Sequence, residues 1–514
     1  MIGRFGKKAC FVAAVLLAAC GGGGGSTTAP VDQPPPVQPP PVQPPPEDPP
    51  IVVPPPEEQP AVTLGAPATI GSWTFYAAEG QAVGVYDASA DEDGNVYVAA
   101  GAAVFAKARG DAEFKAFDAK SAGLTTNCDE AQTLMCPVIS VAGAQPGRAV
   151  IGFMGMGTDG DLDPEWWMSS GGADVVAFDP AAGTLARERH VFIAAPPERV
   201  DPLQESGAYD FWNLGRKKVR QVHRIAVEHD QGRGLHYGDV WFAGSHGTFS
   251  LLLANATERG WGVDATRFPG FEAAQDVWEH DHPDLYGVLR GDRAEMITGT
   301  STALAIDPTT GDPWGANSIR LAVKKGAGAR PDSWRAAMFP PKTSSWTGFY
   351  DLWPDPIVAS ASEFMALDHT YQDAVNSLSF CTDGTLWVGS GIHGLARRAP
   401  GEPLPEDVFE KVAIPAEYCW ADELDNPICP VYSVACDPLD GSVWAGLGYG
   451  VIGRYKGGAW TFPVPGASPL FARQNPVSSI QIDAFAGADQ RIVYFSHMPT
   501  WKGANGGLTV YRGP

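Results

Sequence analysis

Charge is scarce in this sequence. Only 18% of its 514 residues are Asp, Glu, Lys or Arg, and the cationic side is the thinner: 36 Lys and Arg against 59 Asp and Glu, a formal net charge of −23. An acidic surface repels phosphate backbones, which argues against nucleic acid as a partner. Membrane-length apolar segments are missing from the N-terminus too: the run from Ala9 to Ala19 is too short to span a bilayer as a helix. No G-x-S-x-G nucleophile elbow occurs, no G-x-x-x-x-G-K-[ST] phosphate loop and no H-E-x-x-H metal helix. GMGTDG at Gly155 has the glycines of a dinucleotide loop but lies between strand patterns, which removes that reading. What is plentiful is Gly (60), Pro (46) and Trp (16), a mix that favours turns and strands over helices.

The N-terminus is a targeting segment. Arg4, Lys7 and Lys8 precede the apolar run, which ends in Leu17-Ala18-Ala19-Cys20. That tetrapeptide resembles the lipobox of bacterial lipoproteins. The resemblance implies cleavage before Cys20, lipidation of its sulfur and attachment to the membrane through lipid. The plain alternative is an ordinary secretory signal with a chance Cys. Gly21 supplies no acidic retention signal, so in a Gram-negative cell the expected place is the outer membrane, on its periplasmic or cell-surface side. Residues 20–62 then read as a lipidated Cys plus a Gly/Pro-rich stalk. GGGGG is flexible, and PPPVQPPPVQPPPEDPP is expected to extend as polyproline II at roughly 3.1 Å per residue.

From residue 63 to 514 the chain repeats itself. DGNVYVAAGAAVFAKA begins at Asp93, GDVWFAGSHGTFSLLL at Gly238, DGTLWVGSGIHGLARR at Asp383 and DGSVWAGLGYGVIGRY at Asp440. Each is a tight turn, an alternating strand, a Gly-containing turn and a second strand, which is a hairpin pattern. A further strand precedes each (VGVYDASA, RIAVEHD, VNSLSFC, VYSVACD), and a fourth follows, as in GGAWTFPV. Three weaker copies bring the count to seven: VISVAGAQPGRAVIGF with ADVVAFDPAAGT, VWEHDHPD with AEMITGTSTALAIDPTTGD, and SSIQIDA with RIVYFSH and GLTVYRG. The DPAAG and DPTTG turns are expected to lead into fourth strands, and VWEHDHPD is expected to be a first strand. The last copy has three strands, and GSWTFYAAE at Gly71 resembles the fourth strand GGAWTFPVP. The expectation is an all-β, seven-bladed β-propeller whose N-terminal strand closes the last blade.

The blades carrying D-G-x-[LV]-W-[VIA]-G and a Gly-rich turn resemble the two-component-regulator propeller repeat. The match is good at Asp383 and Asp440 and weaker elsewhere. In this reading Trp387 and Trp444 fill the gaps between blades, and the glycines after them reverse the chain. The seven copies leave long inserts near 155–170, 195–220 and 325–372, and long inserts in a compact domain are often functional.

Two pieces match closely around cysteines: NCDEAQTLMCPVISVA and YCWADELDNPICPVYSVA. Local disulfides Cys128–Cys136 and Cys419–Cys429 follow in an oxidising compartment. Cys381 and Cys436, at equivalent strand ends of adjacent blades, either bridge them or stay as separate buried thiols. Turns between second and third strands share a face with the connections between blades. That face is the expected ligand face, with His223, His246, His369, Asp373, His393, Tyr449 and His497 in or near it, and with Trp166 and Trp167 as a partner anchor or as packing for their insert. Two cofactors are open: a transition metal held by the imidazoles, and Ca2+ held by the Asp159, Asp161 and Asp163 run. The alternative is that these are hydrogen-bonded turn residues and a solvated acidic loop. Glu228-His229-Asp230 and Glu279-His280-Asp281-His282 read as inherited repeat sequence. The functional expectation is a non-catalytic binding or scaffold module of the cell envelope with a protein or glycan ligand. The alternative is a metal- or His-dependent lyase- or lactonase-like enzyme, which rests on analogy of fold.

Overall fold

The computed structural model describes residues 62–80, 84–125, 136–155, 172–191, 221–232, 237–244, 247–251, 278–281, 302–316, 320–324, 334–338, 375–391, 394–401, 409–421, 427–464, 475–487, 490–500 and 505–513. Strands 247–251, 278–281, 320–324 and 334–338 enter through their backbone pairing. The chain divides into two units, Met1–Pro60 and Ala61–Pro514, and the described residues belong to the second. Cys20 and the Pro-rich segment lie outside them.

Seven antiparallel sheets follow one another along the chain. The first holds Asp87–Ala90, Val96–Ala99, Val104–Lys107 and Lys115–Phe117; the second Val138–Gly143, Arg148–Phe153, Ala173–Asp179 and Thr184–Val191. The third holds Val222–Val227, Val240–Gly244, Gly247–Leu251 and Trp278–Asp281; the fourth Ala303–Ile306, Pro313–Ala316, Arg320–Lys324 and Trp334–Met338. The fifth holds Val375–Phe380, Leu386–Ser390, Gly394–Arg398 and Glu410–Val412; the sixth Val431–Cys436, Val443–Leu447, Ile452–Lys456 and Ala459–Thr461. In the seventh, Val477–Ile482, Arg491–His497 and Gly507–Gly513 are completed by the N-terminal strand Trp73–Glu79. Each first strand lies against the first strand of the next sheet, and the seventh lies against the first. The ring is closed, and the fold is a seven-bladed β-propeller.

Local chemistry explains the repeat. The first turn of the sixth blade is an Asx turn: Asp437 Oδ1 accepts from Leu439 N at 3.0 Å, and Gly441, at φ 66°, supplies the left-handed residue that ends it. The second strand then presents an aromatic ring to the neighbouring blade. Trp444 packs on Phe495 of the seventh at 5.5 Å, Trp387 on Tyr455 of the sixth at 5.8 Å, Trp314 on Phe380 of the fifth at 5.7 Å and Tyr97 on Phe178 of the second at 6.0 Å. Two residues after the Trp comes Gly, and its role is contact. A Cβ on Gly446 would stand 2.8 Å from Val477 Cβ, and one on Gly389 would stand 2.9 Å from Val431 Cγ1. Chain reversal belongs to later glycines, Gly394 (φ 82°) and Gly450 (φ 72°).

Closure uses the strand read from GSWTFYAAE. Trp73 pairs with Tyr511 and Ala77 with Gly507, so no edge is left on that side of Gly507–Gly513. Trp73 also meets Trp444 at 6.2 Å and Phe495 at 5.7 Å, which inserts it between the sixth and seventh blades.

The region around 260–340 corrects the sequence reading. Trp278–Asp281 pairs with Gly247–Leu251 as the fourth strand of the third sheet. It is not the first strand of the fourth, which is Ala303–Ile306. Glu279-His280-Asp281 is therefore not the equivalent of Glu228-His229-Asp230, which follows a first strand. The DPTTG turn joins first and second strands, whereas DPAAG joins third and fourth. Both are Asx turns, with Thr309 N donating to Asp307 Oδ1 at 2.8 Å and Ala181 N to Asp179 Oδ1 at 2.9 Å. Local turn chemistry is the same in the two places, so it does not report position within a blade.

Cys381 and Cys436 form a disulfide between the fifth and sixth blades, with Cα atoms 5.1 Å apart. Their places differ by one residue: Cys436 ends its strand and Cys381 follows its own. In four other blades the residue after the first strand is Asp91, Asp307, Asp437 or Asp483. Three of these Asp residues reach the next blade. Asp91 accepts from Gly147 N at 3.0 Å, Asp437 binds Arg491, and Asp483 pairs with Arg109 at 3.6 Å. The disulfide takes the place of that polar link. Cys419–Cys429 is a second disulfide, with Cα atoms 4.3 Å apart. Cys136 is disulfide-bonded, and Cys128 lies outside the described residues.

Candidate functional site

The ring surrounds an axial channel. Among the described strands each first strand has one ladder partner, its own second strand, so its other edge turns backbone N–H and C=O groups toward the axis and the neighbouring blade. This is why runs of consecutive residues line a cavity of about 260 Å³ there: Ser377–Phe380, Val434–Cys436 and Ser479–Ile482, facing Ala303 and Leu304. Five first strands carry the same irregularity, a register shift spanning Val138–Ser140, Val222–Arg224, Val375–Ser377, Val431–Ser433 and Val477–Ser479. A bulge re-aims side chains. Here it sends hydroxyls to the next blade: Ser140 Oγ donates to Val222 O at 2.7 Å, Ser433 Oγ to Val477 O at 2.8 Å and Ser478 Oγ to Tyr86 O at 2.8 Å.

The third blade breaks the pattern by placing Arg224 where others place Ser. Its guanidinium crosses to the seventh blade, where Nη2 donates to Ser478 O at 2.6 Å; Nη1 donates to its neighbour's carbonyl, His223 O, at 3.2 Å. Asp87 of the first blade is buried close by. Its carboxylate accepts from Ser479 Oγ at 2.6 Å, Ala88 N at 3.0 Å and Val141 N at 3.1 Å. Burial pushes Asp87 above the usual carboxylate range, against the opposing pull of Arg224. His223 is held at about 4 by burial and by Arg224, so it is neutral at physiological pH, and its Nε2 has no hydrogen-bond partner among the described residues.

At the mouth formed by the first-to-second-strand turns, the third blade reaches across. His229 Nδ1 lies 3.1 Å from Glu92 Oε1, Tyr237 OH donates to Glu92 Oε2 at 2.6 Å, and the His229 ring meets Phe485 of the seventh blade at 5.0 Å. Glu228-His229-Asp230 is thus a tie between turns of three blades.

The other mouth carries the blade connections and the second-to-third-strand turns. Tyr449 sits there in left-handed conformation (φ 61°), the one non-Gly residue with positive φ among those described. Its ring stands edge-on to Trp420 at 5.6 Å. Trp420 belongs to the connection clamped by Cys419–Cys429, and its ring lies against Gly448, where an added Cβ would be 3.1 Å away. Both rings face solvent, Trp420 at 36% and Tyr449 at 45% exposure. Tyr432, the bulged residue of the sixth first strand, lies near Tyr449, and burial raises its hydroxyl, with Tyr449 adding to the effect. Tyr418 and the exposed Phe462 extend the patch, 4.7 Å apart.

Of the residues singled out from sequence, Tyr449 stands on this face and His223 lies at the start of a channel strand. His497 does not open on the face. It is fully buried, Nε2 lies 2.9 Å from Thr509 Oγ1, and burial lowers it to about 4. His246, His369, Asp373, His393, Trp166, Trp167, Asp159, Asp161 and Asp163 lie outside the described residues. Among the described residues no three His, Cys, Asp or Glu side chains converge to hold a metal. Sequence reasoning passed over Arg224 and Trp420. A signal for the first exists: Val-x-Ser recurs at 138–140, 375–377, 431–433 and 477–479, and Val222-His223-Arg224 departs from it.

No family model matches the chain, and no curated protein matches it. Among solved structures, one described as YCF48 bound to D1 peptide is 11% identical over 87% of this chain and 97% of that one, with a TM-score of 0.42. The crystal structure of RRP9 WD40 repeats is 10% identical over 87% of this chain and 99% of that one, with a TM-score of 0.45. The class is set by the chain's own topology: a seven-bladed β-propeller.

Proposed function

We propose that this propeller is a non-catalytic binding module of the bacterial cell envelope, held on the outer membrane through lipid on Cys20 and the Pro-rich stalk. Its ligand is a polypeptide that packs on the connection face at the Trp420–Tyr449 corner. One observation carries the reading: two large aromatic rings face solvent edge-on to each other at 69°, one on a disulfide-clamped connection and the other on a backbone conformation that costs free energy. Exposed Trp and Tyr are the side chains that most often dominate protein interfaces. Backbone strain at an exposed residue is characteristic of functional positions. Pre-ordering by the disulfide and by the contact with Gly448 lowers the entropy lost on binding.

The test is selection of phage-displayed peptides on the purified protein, repeated on Trp420→Ala and Tyr449→Ala, with a glycan array beside it. Enrichment of a peptide family on the parent protein that vanishes with Trp420→Ala supports the reading. Glycan binding with no peptide enrichment would replace the ligand class. Enrichment indifferent to both substitutions would move the site elsewhere.

A further inference from the structure

Arg224 is unusual among the channel residues. Among the described residues it is the one charged side chain lining the cavity, in a chain of net charge −23, and its acceptors among them are two backbone carbonyls, Ser478 O and His223 O. Charges taken out of bulk water are ordinarily paired with an opposite charge. Asp87 acts on it through space, but its carboxylate is turned to Ser479, Ala88 and Val141 and makes no direct ion pair with the guanidinium among the described residues. Three of the five guanidinium N–H groups therefore have no acceptor among the described residues. The wall facing Arg224 adds polar groups: the Ser379 hydroxyl, which accepts from Cys436 N at 2.9 Å and keeps its own hydrogen, and the Gln481 amide. A guanidinium fork matches a carboxylate in two parallel hydrogen bonds. The cavity volume of about 260 Å³ suits a small organic anion.

We propose that the channel is a binding site for a small carboxylate-bearing molecule, anchored on the Arg224 guanidinium and seated against the strand edges at Ser377–Phe380 and Ser479–Ile482. The site is separate from the aromatic corner on the connection face and does not depend on it. Its polar donors select the carboxylate, and the apolar Leu304, Leu378 and Ile480 give the rest of the molecule its contact.

The experiment is calorimetric titration of the purified full chain with acetate, succinate and glutamate, with inorganic phosphate as another anion and glycerol as the uncharged control. Saturable binding of at least one carboxylate is expected, weakened tenfold or more by Arg224→Lys, which keeps the charge and loses the fork. Arg397→Gln, which breaks an exposed ion pair with Glu410, is expected to leave binding unchanged. If Arg224→Lys does not fold, Gln481→Leu in the opposite wall is expected to weaken binding at least threefold. No saturable carboxylate binding by the parent chain, equal binding of phosphate, or undiminished binding by Arg224→Lys or by Gln481→Leu would each overturn the proposal.

Discussion

Removing the Trp73 side chain should loosen the whole ring, because that side chain does two jobs. It lies on the strand that completes the seventh blade, paired with Tyr511, and it fills the gap to the sixth blade through Trp444. Trp73, Phe75 and Tyr76 are all buried. At 150–250 Å² per aromatic side chain they remove roughly 450–750 Å² from water, about 11–19 kcal/mol at ~25 cal/mol/Å². That is the size of the entire stability of a typical domain, about 5–15 kcal/mol. Deleting residues 1–79 should therefore leave a chain that does not fold to a soluble ring and that exposes the edge of Gly507–Gly513. The single substitution Trp73→Ala should cost about 3–5 kcal/mol. Urea unfolding followed by circular dichroism measures it, with Trp420→Ala as the solvent-facing control. A loss below about 1 kcal/mol for Trp73→Ala, or a soluble and equally stable deletion variant, would refute the closure argument.

Two other outcomes follow from the packing. His497 is fully buried and lowered from 6.5 to about 4, so the unfolded chain takes up a proton between those values that the fold does not. Its contribution is present above about pH 6.5 and is lost as pH falls toward about 4, worth about 3 kcal/mol at ~1.4 kcal/mol per pH unit. Buried Asp87, Asp91 and Asp483 are raised and act in the opposite sense, favouring the fold as pH falls. The stability difference between the parent and His497→Leu isolates the histidine: it should shrink by about 3 kcal/mol from pH 7 to pH 4, and a constant difference would contradict the assignment. Gly446→Ala places a methyl 2.6 Å from Ser433 Oγ and 3.1 Å from the backbone oxygen of Val477, across the blade interface. It should cost about 1–3 kcal/mol in the same urea assay, and a neutral result would show that the sixth and seventh blades separate freely.

The architecture was legible where one local signal had one structural meaning. Asp-Gly marks the first turn of a blade, the Trp after it fills an interface, and the similarity of GSWTFYAAE to GGAWTFPVP reveals the closing strand. Reading failed where one local signal serves two places. DP-x-x-G caps both kinds of hairpin turn, and Trp-Glu-His-Asp looks like the end of a first strand while forming a fourth. The site was less legible for a different reason. His497 draws attention by residue type, yet burial and its bond to Thr509 decide its role, and neither is written locally. Arg224 gains meaning only when the ring brings the seventh blade opposite the third. Trp420 gains it when the Cys419–Cys429 clamp lays its connection over Gly448 and Tyr449.

We propose the Trp420–Tyr449 corner as the binding surface. Its most direct test is the dissociation constant of a selected peptide for the parent protein and for Trp420→Ala, measured by titration at matched thermal stability. A ring that anchors an interface contributes about 2 kcal/mol or more, so a weakening of roughly 30-fold is expected. An unchanged dissociation constant would contradict it and remove this face as the site.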